Sequence, residues 1–263
     1  MLLSKKKIAV IEIDGTIGSK VKAETTLPLL ARAEKDSKFK ALLLIINSPG
    51  GAAATAEEIF MAANRVAAKK PVVAYVRGTC ASGGLYISLS AHKVVALSNS
   101  AIGSIGVMFT KLVAADLMQK VGLSMSVVKS AAHKDMFAPW RPPTAEETAK
   151  LQTIVDDTFE RFVNVVAEKR KLDRGKVRSI ATGEMFGARK AKELGLIDEI
   201  GDMETALDMS AKMAGIKRRV QYLRPKRGWR PIARLGFGAN LGEEITEAVY
   251  AKMEAEAGGK LWM

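Results

Sequence analysis

One cysteine, two histidines and few aromatic residues occur in this chain of 263 residues. The single Cys80 excludes an internal disulfide and any cysteine-based metal set, and reads as a small buried filler. His92 and His133 are too few for a zinc site unless carboxylates join them at ligand spacing. No metal and no cofactor is therefore expected. No window approaches about 18 uninterrupted apolar residues, so neither a membrane span nor a secretory leader is expected. Acid is scarce too: 28 Asp and Glu stand against 41 Lys and Arg, a formal net charge of +13. The excess concentrates between Lys217 and Arg234, where no acid occurs. That run reads first as a solvated basic face, then as a peripheral contact with an anionic membrane surface. No nucleic-acid-binding motif accompanies it, so nucleic acid is not an expected partner. The expected location is cytoplasmic or peripheral at a membrane.

Hydrophobic residues make up 48% of the chain, enough for a sizeable core. Strand and helix patterns alternate. Residues 7–13 read as a strand, about 25–38 as a helix, and Ala41-Leu-Leu-Leu-Ile-Ile46 as a strand buried on both faces. An alanine-rich helix over 52–69, a strand over 71–76, a helix over about 82–91 and a strand over 93–97 follow. The alternation predicts an α/β fold with right-handed crossovers. A glycine-punctuated loop over 98–107, a helix near 111–121 and a strand near 124–129 come next. Thr144 and Glu147 form a capping box, behind which Leu151, Val155, Phe159, Phe162, Val163 and Val166 make one apolar stripe. Residues 174–214 read as a smaller helical section, and 220–223 as a strand. The chain then divides into 1–223, the α/β domain, and 224–263, a basic linker with an amphipathic helix.

The stretch Arg77-Gly-Thr-Cys-Ala-Ser-Gly-Gly-Leu-Tyr86 lies where a strand gives way to a helix. A serine among small residues at such a junction is presented as a nucleophile, and glycines beside it let backbone N–H groups approach a reacting carbonyl. Ser82 is that candidate. A serine hydroxyl needs a base to take its proton. His92 stands near the far end of the following helix, while His133 could serve with Asp135 as orienter. A desolvated lysine is the alternative, because Ser-Lys pairs are an established variant of this chemistry. Residue chemistry alone leaves these choices open.

Five motifs occur in one order: Asn47-Ser-Pro-Gly-Gly51, Gly78-Thr-Cys-Ala-Ser-Gly-Gly-Leu-Tyr86, Ile102-Gly-Ser-Ile-Gly-Val107, Lys129-Ser-Ala-Ala-His-Lys-Asp-Met136 and Ala191-Lys-Glu-Leu-Gly-Leu-Ile-Asp198. Together they resemble the signal peptide peptidase A family of serine proteases, peptidase family S49, in its short single-unit form. The resemblance spans about residues 7–223. It implies a crotonase/Clp-protease-like fold of repeated ββα units with a helical C-terminal appendage. It also implies a Ser-Lys dyad, with Ser82 as nucleophile and Lys134 as general base. Lys129, which opens the same motif, is the second choice for the base. Ser104 matches the family serine that hydrogen-bonds the lysine. The backbone of Gly83 and of the Gly50-Gly51 turn would form the oxyanion hole. The implied substrates are unstructured, largely apolar peptides, such as spent signal peptides or misfolded segments. A homo-oligomer with the dyad completed across subunits is implied as well.

Two features depart from the family pattern. Its members usually carry an N-terminal membrane anchor, which is not seen here, and the basic tail matches no motif. Two rival readings follow from the same residues: a crotonase-type acyl-CoA enzyme, and a non-catalytic assembly protein on a protease-like scaffold. No glutamate pair is placed for the first, and Ser82 would then have no purpose.

Overall fold

The computed structural model describes residues 6–225. Its first strand, β1 (Lys7–Asp14), leads through α1 (Ala23–Lys35) to β2 (Phe39–Ser48), and then through α2 (Ala53–Ala67) to β3 (Val72–Ala81). After α3 (Gly83–Ser88) come β4 (Lys93–Ala96), β5 (Ala101–Gly103) and α4 (Ala115–Lys120). The long α5 (Ala145–Arg170) is followed by α6 (Arg174–Ile180), β6 (Met185–Gly187), α7 (Ala188–Glu193), β7 (Glu199–Ile200), α8 (Met203–Ala214) and β8 (Val220–Tyr222).

The sheet runs β6-β5-β3-β2-β1-β8, with β4 branching from β3 and β7 pairing with β4. Every pairing is parallel except β5 with β6. Both faces are covered, which is why β2 carries an unbroken apolar run. Successive side chains of a strand point to opposite faces. Accordingly Leu42, Leu44 and Ile46 join one core with α2, α3 and α5 residues, while Leu43 and Ile45 join another with Ala206, Leu207 and Ala211 of α8.

Strand β3 changes partner along its length, and this decides where the site lies. Val73–Val76 pair with β4, whereas Thr79–Ala81 pair with β5. The change falls at Arg77 and Gly78, where the β2–β3 register also shifts past Asn47. Asn47 fills the gap: its Oδ1 accepts the Thr79 N–H at 3.1 Å and its Nδ2 donates to Asp14 at 2.8 Å. A side chain at position 78 would meet Asn47 Oδ1 at 2.7 Å, so only glycine fits this wedge.

Several expectations need correction. Residues 124–129 form no strand; the segment between α4 and α5 contains turns, bends and chain without regular structure. The helix expected near 111–121 is confined to Ala115–Lys120. Short β5 lies inside the expected loop over 98–107, and β6 and β7 lie inside the section read as helical. Such two- and three-residue strands carry too little periodicity to be read, and their pairing partners are distant in sequence. The capping box at Thr144 is present, with Leu151, Phe162, Val163 and Val166 buried behind it. The tail expected over 224–263 lies, from residue 226 on, outside the described residues.

Helix α5 meets α3 through aromatic rings. Phe162 stands edge-on to Tyr86 at 5.2 Å between centroids, and Tyr86 lies 4.8 Å from Phe60 of α2. Removing a buried ring leaves a cavity, so Phe162→Ala should lower stability by about 3–5 kcal/mol. Urea denaturation checks this; a loss below about 1 kcal/mol would mean the stack does not hold α5 to the core.

Candidate active site

Ser82 ends β3 and caps α3, in a backbone conformation that a non-glycine residue seldom takes, with φ 49° and ψ −118°. Such strain costs on the order of 1–3 kcal/mol and persists only where the surroundings over-determine it. Here they do. The Ser82 N–H donates to the Gly103 carbonyl at 2.9 Å, and the Ser82 carbonyl accepts the Tyr86 N–H at 2.9 Å. All of α3 is buried, including Leu85 and Ile87. The strand-to-helix turn thus lifts a half-buried serine out of a rigid frame.

Gly50 lies directly against this serine. At φ 106°, a Cβ on Gly50 would come within 2.7 Å of Ser82 Cβ and 3.0 Å of the Gly83 nitrogen. Gly51, at φ 141°, pairs with Ile17 through the Gly50 carbonyl and the Ala52 N–H. That pairing leaves the Gly51 N–H out of the ladder. The Gly50 N–H is turned inward instead, donating to Ser48 Oγ at 3.2 Å. Buried Ser48 in turn donates to the Gly15 carbonyl at 2.7 Å, which anchors the turn. On the other side, Gly83 opens α3, and the first N–H groups of a helix have no acceptor within it.

Ser104 also has positive φ, 53°, and follows the residue that accepts the Ser82 N–H. Its own N–H donates to Glu184 at 2.6 Å, on the β6 side. The structure therefore brings Ser82, Gly50, Gly51, Gly83 and the Ser104 backbone together, from three separate stretches of chain. Cys80 is fully buried beside them, and burial pushes its thiol up to about 12.

Lys134 is placed elsewhere. It is exposed, and among the described residues no hydrogen bond links it to Ser82 or Ser104. It lines a cavity of about 460 Å³ with Val127, Val128, Phe137, Ala138 and Trp140. Lys129 is engaged, reaching Asp135 at 2.7 Å and the Ala132 carbonyl at 2.8 Å. His133 stands 3.3 Å from Glu146 and 3.9 Å from Glu147. His92 accepts the Val72 N–H at 3.1 Å, away from Ser82. Sequence reasoning missed Asn47 and Ser48 as supports of the glycine turn, although both lie in the Asn47-Ser-Pro-Gly-Gly51 motif.

Among the described residues no helix is long and apolar enough to cross a membrane. The family model for peptidase family S49 matches residues 64–217, and that for Clp protease matches residues 2–120. The "Putative protease MJ0651" of Methanocaldococcus jannaschii is 37% identical over 226 residues, covering 84% of this chain and 72% of that protein. "Protease 4" of Haemophilus influenzae is 30% identical over 216 residues, covering 79% of this chain but only 35% of that longer protein. A solved membrane-bound stomatin-specific protease has a TM-score of 0.55 at 18% identity, covering 85% of this chain and 100% of that one. ClpP1 of Listeria monocytogenes has a TM-score of 0.53 at 18% identity, covering 75% of this chain and 93% of that one. The fold is thus the Clp-protease-like α/β fold expected from the motifs, and the chain belongs to peptidase family S49, as a serine-type peptidase.

Proposed function

We propose that the chain is an endopeptidase in which Ser82 attacks the scissile carbonyl and the amine of Lys134 acts as general base. The observation that carries the nucleophile is the strained turn at Ser82, packed against Gly50. The neutral lysine takes the hydroxyl proton as the Ser82 Oγ–carbon bond forms. The N–H groups of Gly51 and Gly83 receive the developing oxyanion, and Gly50 serves by its missing side chain. Collapse of the tetrahedral intermediate breaks the peptide C–N bond, and the lysine proton passes to the departing amine. Water then repeats the sequence on the acyl-enzyme and frees Ser82. Ser104 holds the lysine through its hydroxyl.

The substrate is an extended, largely apolar peptide. Val127, Val128, Phe137 and Trp140 in the mixed lining of the cavity beside Lys134, with Phe137 in ring contact with Phe109 at 5.4 Å, support this. The basic tail, as a peripheral membrane contact, would bring the enzyme to such peptides.

A second copy supplies the lysine. The segment carrying Lys134 is tied to Glu147 in the first turn of α5, while Phe162 of the same helix meets the α3 core. These two points lie roughly 22 Å apart along the helix at about 1.5 Å per residue. The same segment exposes Met108, Leu112, Leu117 and Val128, the last fully. An apolar arm of this kind buries itself against another subunit.

Casein hydrolysis tests the dyad. Ser82→Ala and Lys134→Ala should each lose more than about 10³-fold in kcat while keeping their assembly by light scattering. Activity surviving in Lys134→Ala would move the base to Lys129 or His133. Mixing the two dead variants tests the shared site: random exchange of subunits should restore about a quarter of wild-type activity. Mixed assemblies that stay inactive would place both residues of each dyad in one chain. Gly50→Ala should abolish turnover without unfolding the domain, since a methyl there displaces Ser82 and spoils the oxyanion geometry, worth about 10²–10³-fold or more. Near-normal kcat in that variant would mean that the turn does not define the site.

A further inference from the structure

The capping box at the start of α5 does more than begin a helix. Thr144 N–H donates to Glu147 Oε2 at 2.9 Å, and Glu147 N–H donates to Thr144 Oγ1 at 3.1 Å. The same carboxylate receives Arg141 twice, Nη1 to Oε2 at 2.8 Å and Nη2 to Oε1 at 2.6 Å. Arg141 reaches the other way to Asp135, Nε to Oδ2 at 3.1 Å and Nη2 to Oδ1 at 2.8 Å. Asp135 is the chain neighbour of Lys134. Glu147 is 1% exposed, so its pair with Arg141 is screened from water, unlike the surface pairs elsewhere on this basic chain.

The loop needs such an anchor. Between α4 and α5 its backbone bonds near Lys134 are single turns: Lys134 to Ala131 at 3.3 Å, Met136 to His133 at 3.1 Å and Ala138 to Asp135 at 3.0 Å. Two further contacts, Lys111 to the Met136 carbonyl and Ala114 to the Pro139 carbonyl, lead only to the chain just ahead of short α4. The rigid element within reach is α5, and Arg141 is the side chain that joins it to Asp135.

We propose that Arg141 is a positioning residue: its two forked carboxylate pairs fix the chain at Asp135 and so hold the neighbouring Lys134 amine where it takes the Ser82 proton. The inference rests on the Ser82–Lys134 dyad proposed above. The planar guanidinium serves two carboxylates in one plane, a geometry that an ammonium cannot reproduce. Arg141 also holds the Asp135 carboxyl far below the usual carboxylate range, with Lys129 helping, and brings Glu147 down to about 2. Both carboxylates stay charged throughout the neutral range, so the clamp is present wherever a lysine base could work.

The test compares Arg141→Ala, Arg141→Lys and Glu147→Gln with wild type and with Lys134→Ala. Glutamine at position 147 still completes a capping box, so this variant keeps the helix start while weakening the clamp. A displacement of about 1 Å at a reacting group costs about 100-fold, so Arg141→Ala should lose about 100-fold in kcat with KM within about twofold. Arg141→Lys should remain impaired, and Glu147→Gln should fall between. Millimolar guanidinium ion should restore about tenfold to Arg141→Ala and nothing to Lys134→Ala. Assembly should match wild type in each, and kcat is measured well below the melting temperature, which should fall in Arg141→Ala because buried Glu147 loses its partner. A kcat within about threefold of wild type in Arg141→Ala, or a loss that tracks failed assembly and ignores guanidinium, would overturn the positioning role. Full activity in Lys134→Ala would instead bring down the dyad itself, a result separate from any outcome at Arg141.

Discussion

The contact between Gly50 and Ser82 is the constraint on which the site depends. Two parallel strands, β2 and β3, end side by side, and their exits must share space that admits no side chain at position 50. The serine takes up the resulting strain in its own backbone. What holds it there is ordinary: one bond to the Gly103 carbonyl, one helix bond from Tyr86, and the burial of α3. Asn47 and Ser48 keep the opposite wall in place by bonding the β1–β2–β3 frame with side chains where the ladder is interrupted.

From that frame the rest of the molecule takes its layout. Strand β3 pairs with β4 first and β5 later, and the switch delivers the Ser104 stretch beside Ser82. The aromatic stack of Phe60, Tyr86 and Phe162 fastens α5 to α3, the helix that Ser82 caps. The first turns of α5 carry a segment that differs from the core in kind. It is apolar yet exposed, nearly free of regular structure, and held by charged pairs where the core is held by burial.

Much of this was legible in the chain itself, for identifiable reasons. The apolar run over 41–46 could only be a doubly buried strand, and it lies within β2. The serine among glycines at a strand end marked the strained turn, because few other local structures need small residues on both sides of a hydroxyl. Thr144 and Glu147 marked the start of α5 because capping is a local matter of four residues. Elements that depend on distant partners were not legible. Strands β5, β6 and β7 exist through pairings with remote segments, and the strand expected over 124–129 has no sheet edge to join.

The sequence by itself determined the α/β class, the strained turn at Ser82 and the glycines packed around it, since these follow from periodicity and from the steric demands of single residues. Tertiary structure alone decided that the Gly50 N–H faces inward to Ser48, and that Asn47 wedges the bend in β3. It alone decided that Lys129 is bound to Asp135 while Lys134 lines a cavity with Val128 and Trp140. The Asn47–Thr79 contact joins residues far apart along the chain, and the shorter-range contacts depend on a turn and a loop whose shape the sheet and α5 hold in place.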